Sequence, residues 1–228
     1  MRMPPRQLAL DLAVNESFSR DDFLETPGNA PVLQTIDRWP DWTGAELILV
    51  GPEGSGKSHL AAIWAHLSGA RTISGHALAT AHVPTALATG ALVVEDLTLG
   101  EFEERALFHL INLAREEAAY LLLTARSRPA GWSFAVADLA SRMRAIPVAA
   151  LPPADDGLMR AILVKLFADR QLQVDEALVH FIAARIERSP LAARTAVEHL
   201  DAEALKRGRP VNRALAAELL REGSLSTS

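Results

Sequence analysis

Cysteine is absent from the 228 residues, which excludes disulfides and thiolate metal sites within the chain and fits a reducing compartment. A basic surplus is missing too. Lys and Arg number 23 against 28 Asp and Glu, for a net charge of -5 and a pI near 5.8. Nothing here is a general polyanion-binding signature, so duplex DNA is not an expected direct partner. No run reaches the ~18 apolar residues that span a membrane. Behind Arg2 and Arg6, Asp11 and Asn15 interrupt any apolar h-region, so no secretory signal is expected. The seven histidines show no metal-ligand spacing, no Ser/His/Asp arrangement is legible, and no internal repeat occurs. What the chain does have is 49% hydrophobic residues, enough for a real core in one domain or a domain with an appendage. A soluble cytoplasmic protein is expected.

Apolar runs and helical periodicity then alternate along the chain. Residues 45–50, AELILV, lead into GPEGSGKS and HLAAIWAHL, in the order strand, glycine-rich turn, helix. ARTISG (70–75), ALVVED (91–96), AAYLLLTAR (118–126) and IPVAAL (146–151) read as further strands. Residues 101–118 carry Leu107, Leu110, Ile111 and Leu113 on one helical face. The alternation predicts a mainly parallel sheet covered on both sides. From Pro152 the strands stop. DDGLMRAILVKLFADR, EALVHFIAARI behind Asp175, LAARTAVEHLDAEALKR behind Ser189-Pro190, and NRALAAELLRE have helical spacing and helix-start residues. The expected organisation is an extended tail at 1–15, an α/β domain at 16–151, a helical domain at 152–221 and a loose tail at 222–228.

Chemistry concentrates at GPEGSGKS, which matches G-x-x-x-x-G-K-[ST] through Gly51, Gly56, Lys57 and Ser58. In such a loop the backbone N–H groups close around phosphates at a helix N-terminus, the lysine reaches the β- and γ-phosphates, and the hydroxyl holds Mg²⁺. Gly51, Pro52, Glu53, Gly54, Ser55, Gly56, Lys57, Ser58 and the following His59 are the expected nucleotide cradle. LVVEDL supplies the acidic half, with Glu95 as metal ligand and Asp96 beside it. P-loop ATPases usually place Asp first and Glu next; here the order is reversed and both carboxylates are displaced. Mg²⁺ binding with weak intrinsic hydrolysis is expected, and fast turnover by the isolated chain would contradict it. Thr124 ends the fourth strand where a polar group belongs between these acids and the γ-phosphate. Arg142 in DLASRM (138–143) and Arg194 in the third helix after Pro152 are the candidate arginines, each readable otherwise as a solvated surface residue.

The P-loop, the acidic strand, Thr124, DLASRM and a helical lid with Arg194 together resemble the AAA+ ATPases. The nearest likeness is to the central ATPase domain of the bacterial replication initiator, over residues 16–221. FHLINLAREEAAYLLLTAR-SRP resembles its segment leading into sensor 1, and SPLAARTAVEHL its sensor 2 helix. The resemblance implies a P-loop αβα sandwich with a parallel sheet and a small helical lid, ADP or ATP with Mg²⁺ as ligand, and Arg194 folding back on the phosphates. It places Asp22, Phe23, Leu24 and Asn29 around the adenine. Only residues 76–90 separate the second and third strands, and the chain given ends soon after the lid. It therefore looks like the short regulatory homologues of the initiator, the Hda family.

Within that resemblance QLALDL (7–12) is similar to the peptides that bind the β sliding clamp, with alternate leucines in an apolar pocket and glutamine at a polar subsite. Gln7, Leu8, Leu10 and Leu12 would hold the clamp, and DNA would be reached only through it. Arg142 would act in trans on the ATP of the replication initiator and switch it off. A nucleotide-dependent homo-oligomer is a further option left open. The rivals are a helicase loader that binds single-stranded DNA and a P-loop small-molecule kinase. The first leaves QLALDL without a use, and the second lacks an acceptor pocket with a base.

Overall fold

The computed structural model of the chain describes residues 19–222. The expectations placed on Gln7, Leu8, Leu10 and Leu12, and on the last residues from 223, lie outside the described residues. Four mainly apolar runs and the more polar edge segment RTIS form five parallel strands, β1 (Glu46–Val50), β2 (Arg71–Ser74), β3 (Ala91–Leu97), β4 (Tyr120–Ala125) and β5 (Val148–Ala150), ordered β2-β3-β4-β1-β5. The central strands are buried on both faces, so their sequences read as unbroken apolar stretches. Period-two alternation sends Ile48, Val50, Leu92, Val94, Leu121 and Leu123 to one face of the sheet. There they meet α3 (Val83–Ala86), α4 (Glu104–Glu116) and α5 (Ala137–Ala145). Leu47, Leu49, Val93 and Leu122 point to the other face, under α1 (Ala30–Asp37) and α2 (Lys57–Ser68).

The link between β2 and β3 holds two 3₁₀ turns and the single-turn α3, and it buries Leu78, Val83 and Leu87. After β5 come four helices, α6 (Asp156–Asp169), α7 (Glu176–Ala183), α8 (Pro190–Arg207) and α9 (Arg213–Arg221), with no strand between them. Each starts on a side-chain cap: Asp155, Asp175, Ser189 and Asn212 accept the N–H three residues ahead at 2.7, 2.7, 3.1 and 3.0 Å. They enclose a core of their own that includes Met159, Leu163, Phe167, Leu178 and Val197. No helix among the described residues is long and apolar enough to cross a membrane.

One charged pair anchors α4 to the sheet. Glu46, the first residue of β1, is only 8% exposed, and Arg115 grips its carboxylate with two N–H donors at 2.6 and 2.8 Å. Removing the guanidinium leaves a buried acceptor unpartnered. Arg115→Ala is therefore expected to lower the unfolding free energy by about 2 kcal/mol, read from urea denaturation. Arg115→Lys should recover only part of it, because an ammonium cannot reproduce the fork. No change in either variant would show that the pair contributes nothing.

Candidate nucleotide-binding site

In parallel sheets ligands lie outside the carboxyl ends of the strands, and here the loops leaving β1, β3 and β4 open on that edge. The loop after β1 is drawn tight. Gly51 donates to the Ala125 carbonyl at 3.2 Å, and a Cβ at Gly51 would stand 2.7 Å from the Ser55 Oγ and 2.8 Å from the Leu151 carbonyl. Gly54 has φ +67°, and a Cβ there would fall on the Cβ of Ser189, well inside contact distance. Ser189 is 4% exposed and caps α8. The lid thus rests on the tip of the phosphate loop. Lys57 is buried, and its Nζ donates to the carbonyls of Gly51 and Pro52 at 2.9 and 2.8 Å. Burial pulls its pKa below the ordinary lysine value, and the charge of Asp96 opposes the shift.

The acidic end of β3 is irregular. The ladder to β4 shifts between Val94 and Leu97, and Asp96 takes a left-handed φ of +55°. Such a bulge re-aims the residues within it. Thr124, fully buried, accepts the Asp96 N–H on its Oγ1 at 2.9 Å. Its hydroxyl therefore supports the bulge, next to the acidic pair as expected, and keeps its own proton free to donate. Glu95 is aimed at the phosphate loop. The Ser58 side chain is near enough to act on its carboxylate, while its Oε1 is buried with no hydrogen-bond partner among the described residues. Burial pushes Glu95 above the ordinary carboxylate range, with the Ser58 hydrogen bond opposing. Ser55 Oγ is likewise buried without a partner among the described residues.

The segment before α1 lies along the same site. The Phe23 ring reaches to 3.4 Å of where a Cβ on Gly56 would sit, and it meets His59 edge-on at 5.3 Å. His59 Nε2 is 2.9 Å from the Ser19 carbonyl. Burial lowers the His59 pKa, the Ser19 hydrogen bond resists, and Asp22, Arg194 and Lys165 all act on it electrostatically. Arg194, on α8, is thus near enough to the first turn of α2 to act on the charge of His59. Asp22 also pairs with Lys165 of α6 at 2.8 Å, tying this segment to the lid. Leu24 is half-buried, and its carbonyl accepts the Asn29 side-chain N–H at 2.9 Å. Asn29 Oδ1 takes the Thr26 N–H at 2.8 Å, so the Asn29 side chain holds this turn together.

Arg142 is not part of this cluster. Its guanidinium lies 5.3 Å from the Phe108 ring centroid, in a groove of about 300 Å³ shared with Arg115, Asp138 and Ser141. Arg115 is bonded to Glu46 at the start of β1, whereas the phosphate loop follows the end of that strand. Four rises of ~3.3 Å put Glu46 and Val50, the two ends of β1, roughly 13 Å apart. Arg142, partly exposed, thus lies toward the edge of the sheet opposite the phosphate loop.

These residues fit a Mg²⁺-nucleotide. The helix N-terminus and Lys57 suit phosphates, and the orphaned Glu95 oxygen beside the Ser58 hydroxyl suits a divalent ion. No group of three or more His, Asp or Glu among the described residues is placed to hold a metal by itself. Mg²⁺ here would rely on Ser58, Glu95 and phosphate oxygens, and it would neutralise phosphate charge. Three residues of the site escaped sequence reasoning. Ser189 was legible only as a cap, Lys165 only as a helix charge, and Arg126, which pairs with Glu53 at 2.8 Å, only as the residue after a strand.

No protein-family model matches the chain, and no curated protein sequence matches it. Solved structures do. Domain III of the replication initiation protein DnaA from Thermotoga maritima matches with a TM-score of 0.74 at 19% identity, over 91% of this chain and 97% of that one. The RuvB Holliday junction branch migration motor of Thermotoga maritima matches with a TM-score of 0.71 at 18% identity, over 89% and 71%. AMPPCP-bound DnaA from Aquifex aeolicus matches at 0.64 and 15% identity, over 86% and 67%. At these identities the likeness concerns architecture alone. The chain has the α/β P-loop AAA+ fold shared by DnaA and RuvB, with a five-stranded parallel sheet and a helical lid.

Proposed function

We propose that this chain is a regulator of replication initiation that acts on a partner ATPase rather than by its own turnover. It binds ADP or ATP with Mg²⁺ in the P-loop site, with Phe23 and His59 beside the base and Arg194 at the phosphates. It docks on the β sliding clamp through Gln7, Leu8, Leu10 and Leu12, and meets DNA only through the clamp. There it presents Arg142 to the ATP of the replication initiator and stimulates hydrolysis.

The observation that carries this reading is the position of Arg142. It is partly exposed, packed on Phe108 in a groove with Asp138 and Ser141, toward the edge of the sheet away from its own phosphate loop. An arginine so placed suits a nucleotide on another molecule. Arginines supplied in trans are worth about 10³–10⁵ in rate in GTPases. The bulged Glu95-Asp96 end, with Thr124 accepting the Asp96 amide, agrees with weak intrinsic hydrolysis. The AMPPCP-bound DnaA of similar fold supports an adenine nucleotide.

Two measurements test the proposal. Immobilised clamp should retain the intact chain and lose the Gln7→Ala/Leu10→Ala variant. Arg142→Ala should keep clamp and nucleotide binding yet lose stimulation of the initiator ATPase by at least about a hundredfold. Stimulation retained by Arg142→Ala, or clamp retention of the double variant, rejects the corresponding half.

A further inference from the structure

The lid carries an apolar groove that the nucleotide site does not use. It encloses about 620 Å³ where α6 meets the start of α7, and Ala161, Val164, Leu172, Val174 and Val179 line it. Val164 stays 54% exposed there, so apolar surface is left for a further segment to cover. At the rim stands Arg160, which has no ion-pair partner among the described residues. The described chain begins close by. Asp22 pairs with Lys165 of α6 at 2.8 Å. Lys165 lies four residues after Ala161 and three before Ala168, spacings that set side chains side by side on a helix, and both alanines line the groove. The start of the described chain, from Ser19 to Asp22, is thus held within reach of it.

We propose that residues 7–12 of the same chain, QLALDL, fill this groove. In extended form Leu8, Leu10 and Leu12 share one face and span roughly 13 Å, and α6 rises about 12 Å from Arg160 to Ala168. Seven steps separate Leu12 from Ser19. Extended, they reach roughly 23 Å, enough to return to α6 from beside Lys165. Charge agrees as well, because residues 7–18 hold Asp11 and Glu16 and no Lys or Arg, and the rim offers the unpaired Arg160. The tether supplies an effective concentration in the mM range. A groove of only mM intrinsic affinity is then filled in about half of the molecules. The lid therefore covers the leucines that the clamp would take, and lid and clamp compete for one peptide. The contact with the lid stands without the clamp reading, whereas the competition rests on it.

Hydrogen exchange of the intact chain, read by mass spectrometry, tests the contact. Amides of residues 7–12 should exchange at least about twofold more slowly in wild type than in Val164→Asp, whose carboxylate would stand in the groove. Leu8→Ala/Leu10→Ala changes no described residue and should speed exchange across residues 172–174. Immobilised clamp should bind Val164→Asp about two- to tenfold more tightly than wild type, because the competing state is removed. Equal exchange in wild type and both variants overturns the inference and leaves the clamp reading standing. Slow exchange that appears only at high protein concentration seats the peptide on a second copy and overturns the contact within one chain. Clamp affinity unchanged by Val164→Asp overturns the competition. Slow exchange abolished by Val164→Asp, with no clamp binding by either protein, upholds the contact and removes the clamp reading.

Discussion

Gly54→Ala is expected to weaken nucleotide binding by at least about tenfold, although it adds a single methyl group. Two penalties coincide. A left-handed φ of +67° costs a residue with a Cβ about 1 kcal/mol. The new Cβ would also collide with Ser189 Cβ and lie 3.1 Å from its Cα. Neither atom is the free end of a flexible side chain, so the phosphate loop or the N-terminus of α8 must move. Arg194 rides on α8 five residues beyond Ser189, so a displaced cap carries that guanidinium away from the first turn of α2. Titration with ADP measures the loss. A second substitution separates the two penalties. Ser189→Gly removes the colliding atom, and glycine still serves as an N-cap at a cost of a few tenths of a kcal/mol. Gly54→Ala/Ser189→Gly should recover most of the affinity if lid contact is the cause. No recovery would assign the loss to backbone strain alone.

Trp64→Ala should produce the largest loss of stability, about 4 kcal/mol. Trp64 is fully buried on the face of the sheet that carries α1 and α2. Trp42 stacks on it at 5.3 Å and Trp39 meets it edge-on at 6.3 Å. Alanine would leave a cavity bounded by two other indoles and the central strands, which cannot collapse without moving α2. Because α2 begins at Lys57, the helix that this ring docks is the one that presents the phosphate loop. Urea denaturation measures the effect. Trp64→Phe should lose less than half as much, since the larger part of the packing survives. Equal losses would mean that the indole edge, rather than ring volume, holds the helix.

Much of this architecture was legible because its determinants are local. Strands buried on both faces are built mostly from apolar residues, as LILV (47–50) and LLL (121–123) are. The helix starts at Asp155, Asp175, Ser189 and Asn212 each needed an acceptor for an N–H three residues on, and each carries one. The phosphate loop was legible for the same reason, since the backbone demands of closing around phosphate are met within eight consecutive residues. Thr124 was legible as a polar residue in an apolar strand, yet its partner was not. The bulge at Glu95-Asp96 offers an unladdered N–H, and that depends on the register between β3 and β4.

The sequence by itself determined the parallel α/β layer, the helical lid and the phosphate loop, because periodicity, capping and turn chemistry act between near neighbours. Tertiary structure alone decided that Ser189 closes on Gly54, that Glu53 holds Arg126, that Lys165 ties Asp22 to the lid, and that Arg142 lies toward the other edge of the sheet from its own phosphate loop. Those pairs lie between 73 and 143 residues apart or on different layers. The strand order β2-β3-β4-β1-β5 and the docking of the lid bring them together or keep them apart. Residues so distant in the chain place no local demand on one another's sequence, so only the packed molecule shows which of them meet.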